Sequence, residues 1–214
     1  MLELDEDEID ALKELFNIGV GCAAHSLSEM VQDEVFLSIP YLEITSRQQA
    51  IELILERATN QIAAIKQQFH GHFSGTAFLV YPESSSLELV RSLIGEDVPL
   101  ESLTELEQES LLEVGNIILN ACLGSFANMM TLELDFDLPE YIKGSCRSLF
   151  RKQPKGSEKS DQKDRTEQKI VFLILDFMTG EKTKKTNSIK GFVMILLDTE
   201  ALFNLKEKLK QLLH

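Results

Sequence analysis

Cysteine, positive charge and long apolar runs are what this chain lacks. Its three cysteines, Cys22, Cys122 and Cys146, cannot all pair and none stands in a CxxC, so they read as reduced thiols of a cytoplasmic protein. No stretch supplies the roughly 20 uninterrupted apolar residues of a membrane helix. The start, Met1 to Asp10, is too acidic for a signal peptide, and no membrane insertion is expected. Lysine and arginine number 21 against 35 aspartates and glutamates, a net charge of −14. That balance argues against nucleic acid or an anionic membrane surface as the main partner and leaves room for a basic protein. No Ser/His/Asp or Cys/His arrangement stands out either.

What remains is an ordinary globular mixture, 43% apolar and 26% charged, over 214 residues. That length suits one or two small domains with a buried core. The run Asp5-Glu6-Asp7-Glu8 reads as a solvated helix start favoured by the helix dipole, ahead of a docking surface.

The informative feature is internal repetition. Residues 10–40 and 109–139 align without a gap at an offset of 99: Glu14 on Glu113, Asn17 on Asn116, Met30 on Met129, Pro40 on Pro139. Leu12 and Ser26 also fall on Leu111 and Ser125. Val35/Leu37/Ile39 and Leu134/Phe136/Leu138 then alternate as strand endings. Residues 46–57 read as helix, with a shorter counterpart around Cys146–Lys152. Two strand-like runs follow in each half, Ile62–Phe69 with Ser74–Tyr81 and Ile170–Met178 with Ile189–Leu197. Closing helices are expected at Ser84–Ile94 and Thr199–Leu213.

Gly75 and Gly191 match at an offset of 116, so the second half has gained 17 residues. Two polar stretches can hold them, Lys152–Gln168 and Gly180–Asn187. The first has too few apolar residues to pack and is expected to be a mobile surface loop at 152–168. Each half thus reads helix–strand–helix–strand–strand–helix. The expectation is an α+β fold with a largely antiparallel sheet and long helices packed on it, internally duplicated as one pseudo-two-fold body. The repeats run approximately over 5–95 and 104–214 within a single domain of 1–214.

At about 100° per residue, Leu12, Phe16, Gly19, Ala23, Leu27 and Met30 form one stripe of the first helix, with Asp10, Glu14 and Asn17 opposite. In the second half Leu111, Gly115, Ile118, Cys122, Phe126 and Met129 form the stripe. Glu109, Glu113 and Asn116 face away from it, with Asn120 close by. Exposed glutamate and asparagine are commonplace on helices. Asparagine nevertheless costs several tenths of a kcal/mol against alanine in a helix interior. Its recurrence at one spacing from a glutamate and from a later proline weighs against chance.

Asp10-x3-Glu14-x2-Asn17-x22-Pro40 resembles the signature of the CheC, FliY and CheX chemotaxis phosphatases, and Glu113-x2-Asn116-x22-Pro139 repeats it. The departure is Glu109, where the family usually has Asp or Ser. Two copies over nearly the whole chain resemble CheC or the middle domain of FliY, while CheX usually carries one. With no switch-type domain after Leu213, a stand-alone CheC is favoured over a FliY. The resemblance implies hydrolysis of the aspartyl phosphate of a CheY-type response regulator. Glu14 and Glu113 would pair with the regulator's lysine, and Asn17 and Asn116 would hold water in line with phosphorus. The chain would need no cofactor of its own; Mg²⁺ comes with the phosphorylated regulator. CheD is a second partner that the resemblance implies in systems containing it. Alternatives are a non-catalytic adaptor for the regulator or CheD, and a flagellar-switch-associated protein.

The remaining features read as structural. His70-Gly71-His72 stands in an expected hairpin turn with no ligand cluster nearby, and His25 is assigned packing. Gly19, Gly21 and Gly115 lie inside helices, so no nucleotide loop is expected, and Gly115 is assigned to close helix packing. Cys22 and Cys122 are expected in or near the core. Pro40 and Pro139 are expected to end strands.

Overall fold

The computed structural model describes residues 4–58, 60–72, 74–94, 100–150, 169–179 and 189–213. The polar stretches expected to carry the inserted residues, 152–168 and 180–187, lie outside the described residues.

The first half runs α1 (Glu6–Val31), β1 (Val35–Thr45), α2 (Arg47–Arg57), β2 (Gln61–Gly71), β3 (Gly75–Pro82) and α3 (Glu83–Ile94). The second runs α4 (Leu100–Met129), β4 (Leu134–Phe136), β5 (Glu140–Ser145), a 3₁₀ turn at Cys146–Phe150, β6 (Lys169–Thr179), β7 (Ile189–Leu197) and α5 (Thr199–Leu213). The expected α+β architecture and its order of elements are borne out. Local signals place the boundaries. Ser46 and Gln49 form a capping box at the start of α2, and Asp198 caps α5 through the Ala201 N–H at 2.7 Å.

Among the described residues one seven-stranded sheet takes strands from both halves, in the order β1-β6-β7-β3-β2-β4, with β5 also on β2. Every ladder is antiparallel. The order is symmetric about the β7–β3 pair. Each half lends its first strand to the other half's hairpin: β1 lies on β6, and β4 and β5 lie on β2. The lent strands keep equivalent registers. Leu37 faces Phe177 and Tyr41 faces Ile174; 99 residues on, Phe136 faces Phe69 and Glu140 faces Lys66.

The sheet is covered on both faces. On one, α1, α4, α3 and α5 enclose a core with Ile65, Phe69, Leu79, Leu173, Leu175 and Phe177. On the other, Ala50 and Ile54 of α2 and Cys146 and Leu149 of the 3₁₀ turn cover Ala64, Phe78, Phe172 and Met194. Double coverage explains why Ile170–Leu175 is buried at every position instead of alternating. Each large apolar side chain fully withdrawn from water stabilises the fold by about 1.5–3 kcal/mol.

Two close approaches seat the long helices. A β-carbon on Gly19 would lie 2.7 Å from Cys122 Cα, so glycine lets α1 cross α4 nearly backbone to backbone. Phe16 stacks on Phe126 beside it, ring centroids 5.9 Å apart. Gly115 serves the sheet instead of a neighbouring helix, since its β-carbon would meet the Ile65 side chain at 2.6 Å. Pro40 does not end its strand: β1 continues to Thr45 through a register shift between Ser38 and Tyr41. Pro139 lies in the gap between β4 and β5.

Candidate functional site

The sites begin at the helix starts. Asp5 accepts the Glu8 N–H and Glu8 accepts the Asp5 N–H, both at 2.9 Å, closing a capping box. Asp5, Glu6 and Asp7 are exposed, as expected of a solvated start. Glu8 departs from that reading: it is 1% exposed and salt-bridged to Lys206 of α5 at 3.3 Å. Ninety-nine residues on, Glu107 is 3% exposed, accepts the Ser86 hydroxyl of α3 and takes Lys143 Nζ at 3.1 Å. A buried glutamate thus fastens each long helix to the closing helix of the other half.

Two turns further along α1, Glu14 is exposed and Asn17 is half-buried. The open ridge expected for both holds for the glutamate only. Asn17 Oδ1 accepts the Ile39 backbone N–H at 3.3 Å, and Lys13 Nζ donates to the Pro40 carbonyl at 3.2 Å. The 22-residue interval from Asn17 to Pro40 therefore has a physical meaning. Proline has no N–H, the ladder slips there, and the amide just before it turns to the asparagine.

On α4, Glu113 is exposed and Asn116 half-buried. The support differs. Asn116 Oδ1 accepts Asn120 Nδ2 at 2.9 Å, and Asn120 Oδ1 accepts Gln67 Nε2 at 3.0 Å. Gln67 Nε2 also donates to the Asp137 carbonyl at 3.1 Å. Leu138, preceding Pro139, is 88% exposed, whereas Ile39 is 3% exposed.

Asp10 and Glu109 are exposed one turn before their glutamates. Asp5, Asp7, Asp10 and Glu14 line a groove of about 590 Å³ along the start of α1, with Lys210 opposite. Among the described residues no three His, Cys, Asp or Glu side chains converge as metal ligands. His70 Nε2 lies 3.3 Å from Asp137 Oδ2, and His72 Nδ1 accepts the Glu133 N–H at 3.0 Å, so both tie the hairpin to β4. Burial pushes the Cys122 thiol up to about 12 and the Cys146 thiol up to about 11, which makes both inert as nucleophiles. Three assignments on α1 are corrected: Cys22 is exposed, the His25 side chain is 78% exposed near Glu29, and Met30 is 44% exposed.

No protein-family model matches the chain. It is 26% identical over 140 residues to the CheY-P phosphatase CheC of Bacillus subtilis (strain 168), covering 64% of this chain and 66% of that one. The match thus spans just under two thirds of the relative's length. Thermotoga maritima FliY superposes with a TM-score of 0.70 at 15% identity, covering 97% of this chain and 98% of FliY. The FliM middle domain of H. pylori gives 0.60 at 9% identity, covering 96% and 99%. The Borrelia burgdorferi CheX–CheY–BeF3–Mg complex gives 0.50 at 18% identity, covering 86% and 97%. The chain thus resembles the CheC/FliY/CheX group, CheC in sequence and FliY in fold.

Sequence reasoning missed Gln67 and the buried glutamates. Signals for both existed. Glu8 and Glu107 stand at the repeat offset, two residues before the aligned block. Gln67 interrupts the core-facing series Ile65, Gln67, Phe69 of β2, where an amide needs a reason to be buried.

Proposed function

We propose that the chain is a phosphatase acting in the cytoplasm on a CheY-type response regulator, with one site at Glu14/Asn17 and a second at Glu113/Asn116. The observation that carries this reading is the duplicated pair itself. In each copy an exposed carboxylate sits one turn before a half-buried carboxamide whose oxygen is already held, in a chain similar to a CheY-P phosphatase.

The chemistry asked of these groups is modest. Phosphoryl transfer passes through a loose transition state, so placement and charge stabilisation supply most of the acceleration. Water attacks phosphorus, the bond from phosphorus to the aspartyl oxygen breaks, and aspartate and inorganic phosphate are released. The Asn17 or Asn116 carboxamide both donates to and accepts from that water without ionising. One acceptor position tethered to the protein leaves a second lone pair and two N–H donors. Glu14 or Glu113 makes a charge-assisted contact with the regulator's lysine and sets the register. The metal is the regulator's Mg²⁺ and the chain contributes no cofactor. CheD is a further proposed partner.

A second reading has the shared fold of FliY and the FliM middle domain in its favour: an adaptor or flagellar-switch-associated protein that binds without turnover. Phosphate release with single variants separates the two. Asn17→Ala and Asn116→Ala should each leave part of the activity if both sites hydrolyse. An adaptor binds the regulator and leaves its dephosphorylation rate unchanged.

A further inference from the structure

The two halves present the same Glu/Asn pair on different supports. The register of the lent strands shows what stands where. Leu37–Phe177 corresponds to Phe136–Phe69, and Tyr41–Ile174 to Glu140–Lys66. Gln67 of β2 therefore occupies the position that Leu175 of β6 occupies beneath α1. On the helices, Asn120 occupies the position of Gly21. The fold accepts leucine and glycine at these two places, because in the first half it has them.

Gln67 is nonetheless buried, 2% exposed, inside an apolar cluster, and its Oε1 has no partner among the described residues. Burying an amide with one end unsatisfied is unfavourable. Stability therefore gives no reason to prefer glutamine over leucine here. What the amide does make is a directed chain. The Asp137 carbonyl can only accept, so it fixes Nε2 as the end of Gln67 facing it. The same Nε2 donates to Asn120 Oδ1, which turns Asn120 Nδ2 toward Asn116 Oδ1. Asp137 sits in the gap between β4 and β5, just before the exposed Leu138.

We infer that Gln67 and Asn120 are positioning residues of the second site. They form a side-chain relay that sets the orientation of the Asn116 carboxamide, in place of the backbone N–H that holds Asn17. Neither needs to touch the regulator. The two sites are then unequal in how they are built, and only the second is sensitive to side chains behind it. The kinetic part rests on the phosphatase reading; the orientation of Asn116 does not.

The test isolates the second site in the Asn17→Ala background. There Asn120→Ala and Gln67→Leu should each lower kcat about five-fold, the scale of one ordinary hydrogen bond, with KM nearly unchanged. Asn120→Asp, which keeps the shape and the acceptor but not the donor, should lose as much as Asn120→Ala. In the Asn116→Ala background the same changes have no carboxamide left to orient, so their effects should not add. Thermal stability separates this from a structural role, because alanine is the better helix former and Asn120→Ala should hold or raise Tm.

The Asn116 side-chain NH₂ signals in a ¹⁵N spectrum, assigned by their loss in Asn116→Asp, give a readout without activity. They should move in Asn120→Ala and in Gln67→Leu. Unmoved signals, an unchanged kcat, or equal losses in both backgrounds with a lowered Tm would each overturn the relay. If wild type hydrolyses no phosphorylated regulator, the phosphatase reading fails, and the NH₂ signals still decide the relay.

Discussion

Asn17 and Ile39 are joined by a hydrogen bond across 22 residues of sequence, the Ile39 N–H donating to Asn17 Oδ1 at 3.3 Å. The strand bulge at Pro40 thereby holds one end of the carboxamide on α1. Asn17→Asp keeps an acceptor of the same shape for that N–H, so unfolding free energy should change by less than about 0.5 kcal/mol. On the phosphatase reading, the same change would set a carboxylate against the regulator's phosphoryl group and remove the amide donor. In the Asn116→Ala background, turnover should fall to the regulator's own rate while the regulator still binds. Residual acceleration in Asn17→Asp/Asn116→Ala would contradict the role given to the amide.

Gly19 faces Cys122 Cα at the crossing of the long helices, with 2.7 Å available to an added β-carbon. Alanine is favoured over glycine by about 1 kcal/mol in a helix interior, yet here it must push backbone apart, at a cost of about 1–3 kcal/mol. Gly19→Ala should therefore destabilise the protein, whereas Gly21→Ala, with nothing within 4 Å of its β-carbon, should stabilise it. Urea midpoints of the two variants check the pair. A stabilising Gly19→Ala would show that the crossing is looser than described.

Glu8 is buried against Lys206, whose side chain is 21% exposed. Removing the cation strands a carboxylate that also closes the α1 capping box. Breaking fully buried pairs costs about 3–5 kcal/mol; with Lys206 in partial contact with water, Lys206→Met should cost about 2 kcal/mol. Restoration of stability by adding Glu8→Gln would identify the unpaired charge as the cause.

Burial raises the Cys122 thiol from 9.0 to about 12 and raises the Tyr81 hydroxyl above 10.0. Both are neutral when protonated, so above pH 9.0 the unfolded chain releases protons that the folded one keeps. Their contribution to stability is complete well below pH 9.0 and is lost as pH rises through 9.0 toward 12. The urea midpoint should fall between about pH 8 and pH 10.5, and Cys122→Ala should flatten the fall. Coincident curves for wild type and variant would contradict this. At pH 8 a thiol reagent should modify exposed Cys22 well before Cys122 or Cys146.

Much of the fold was legible because the repeat offset turns one half into a template for the other. Order and type of elements followed from apolar periodicity, capping residues and the Gly75/Gly191 match. The exchange of first strands between halves was not legible, since it depends on pairings far apart in sequence, such as Val35 with Thr179 and Phe69 with Phe136. The glutamates were read on the exposed face and lie there. The half-burial of both asparagines was not foreseen, because it arises from contacts with Ile39 in one case and Asn120 in the other. Glu8 looked solvated because a charged run hides the one member that turns inward to Lys206. Cys22 and His25 were placed inward on residue type, while the Leu12, Phe16, Ala23 and Leu27 stripe that does face the core leaves them outside.

The central claim is tested most directly by the rate of inorganic phosphate release from a Mg²⁺-bound, phosphorylated CheY-type regulator. Wild-type protein is compared with the Asn17→Ala/Asn116→Ala variant. The account predicts acceleration by wild type and none by the variant, with regulator binding retained in both. Equal acceleration by the two proteins, or binding by wild type without any acceleration, would contradict it.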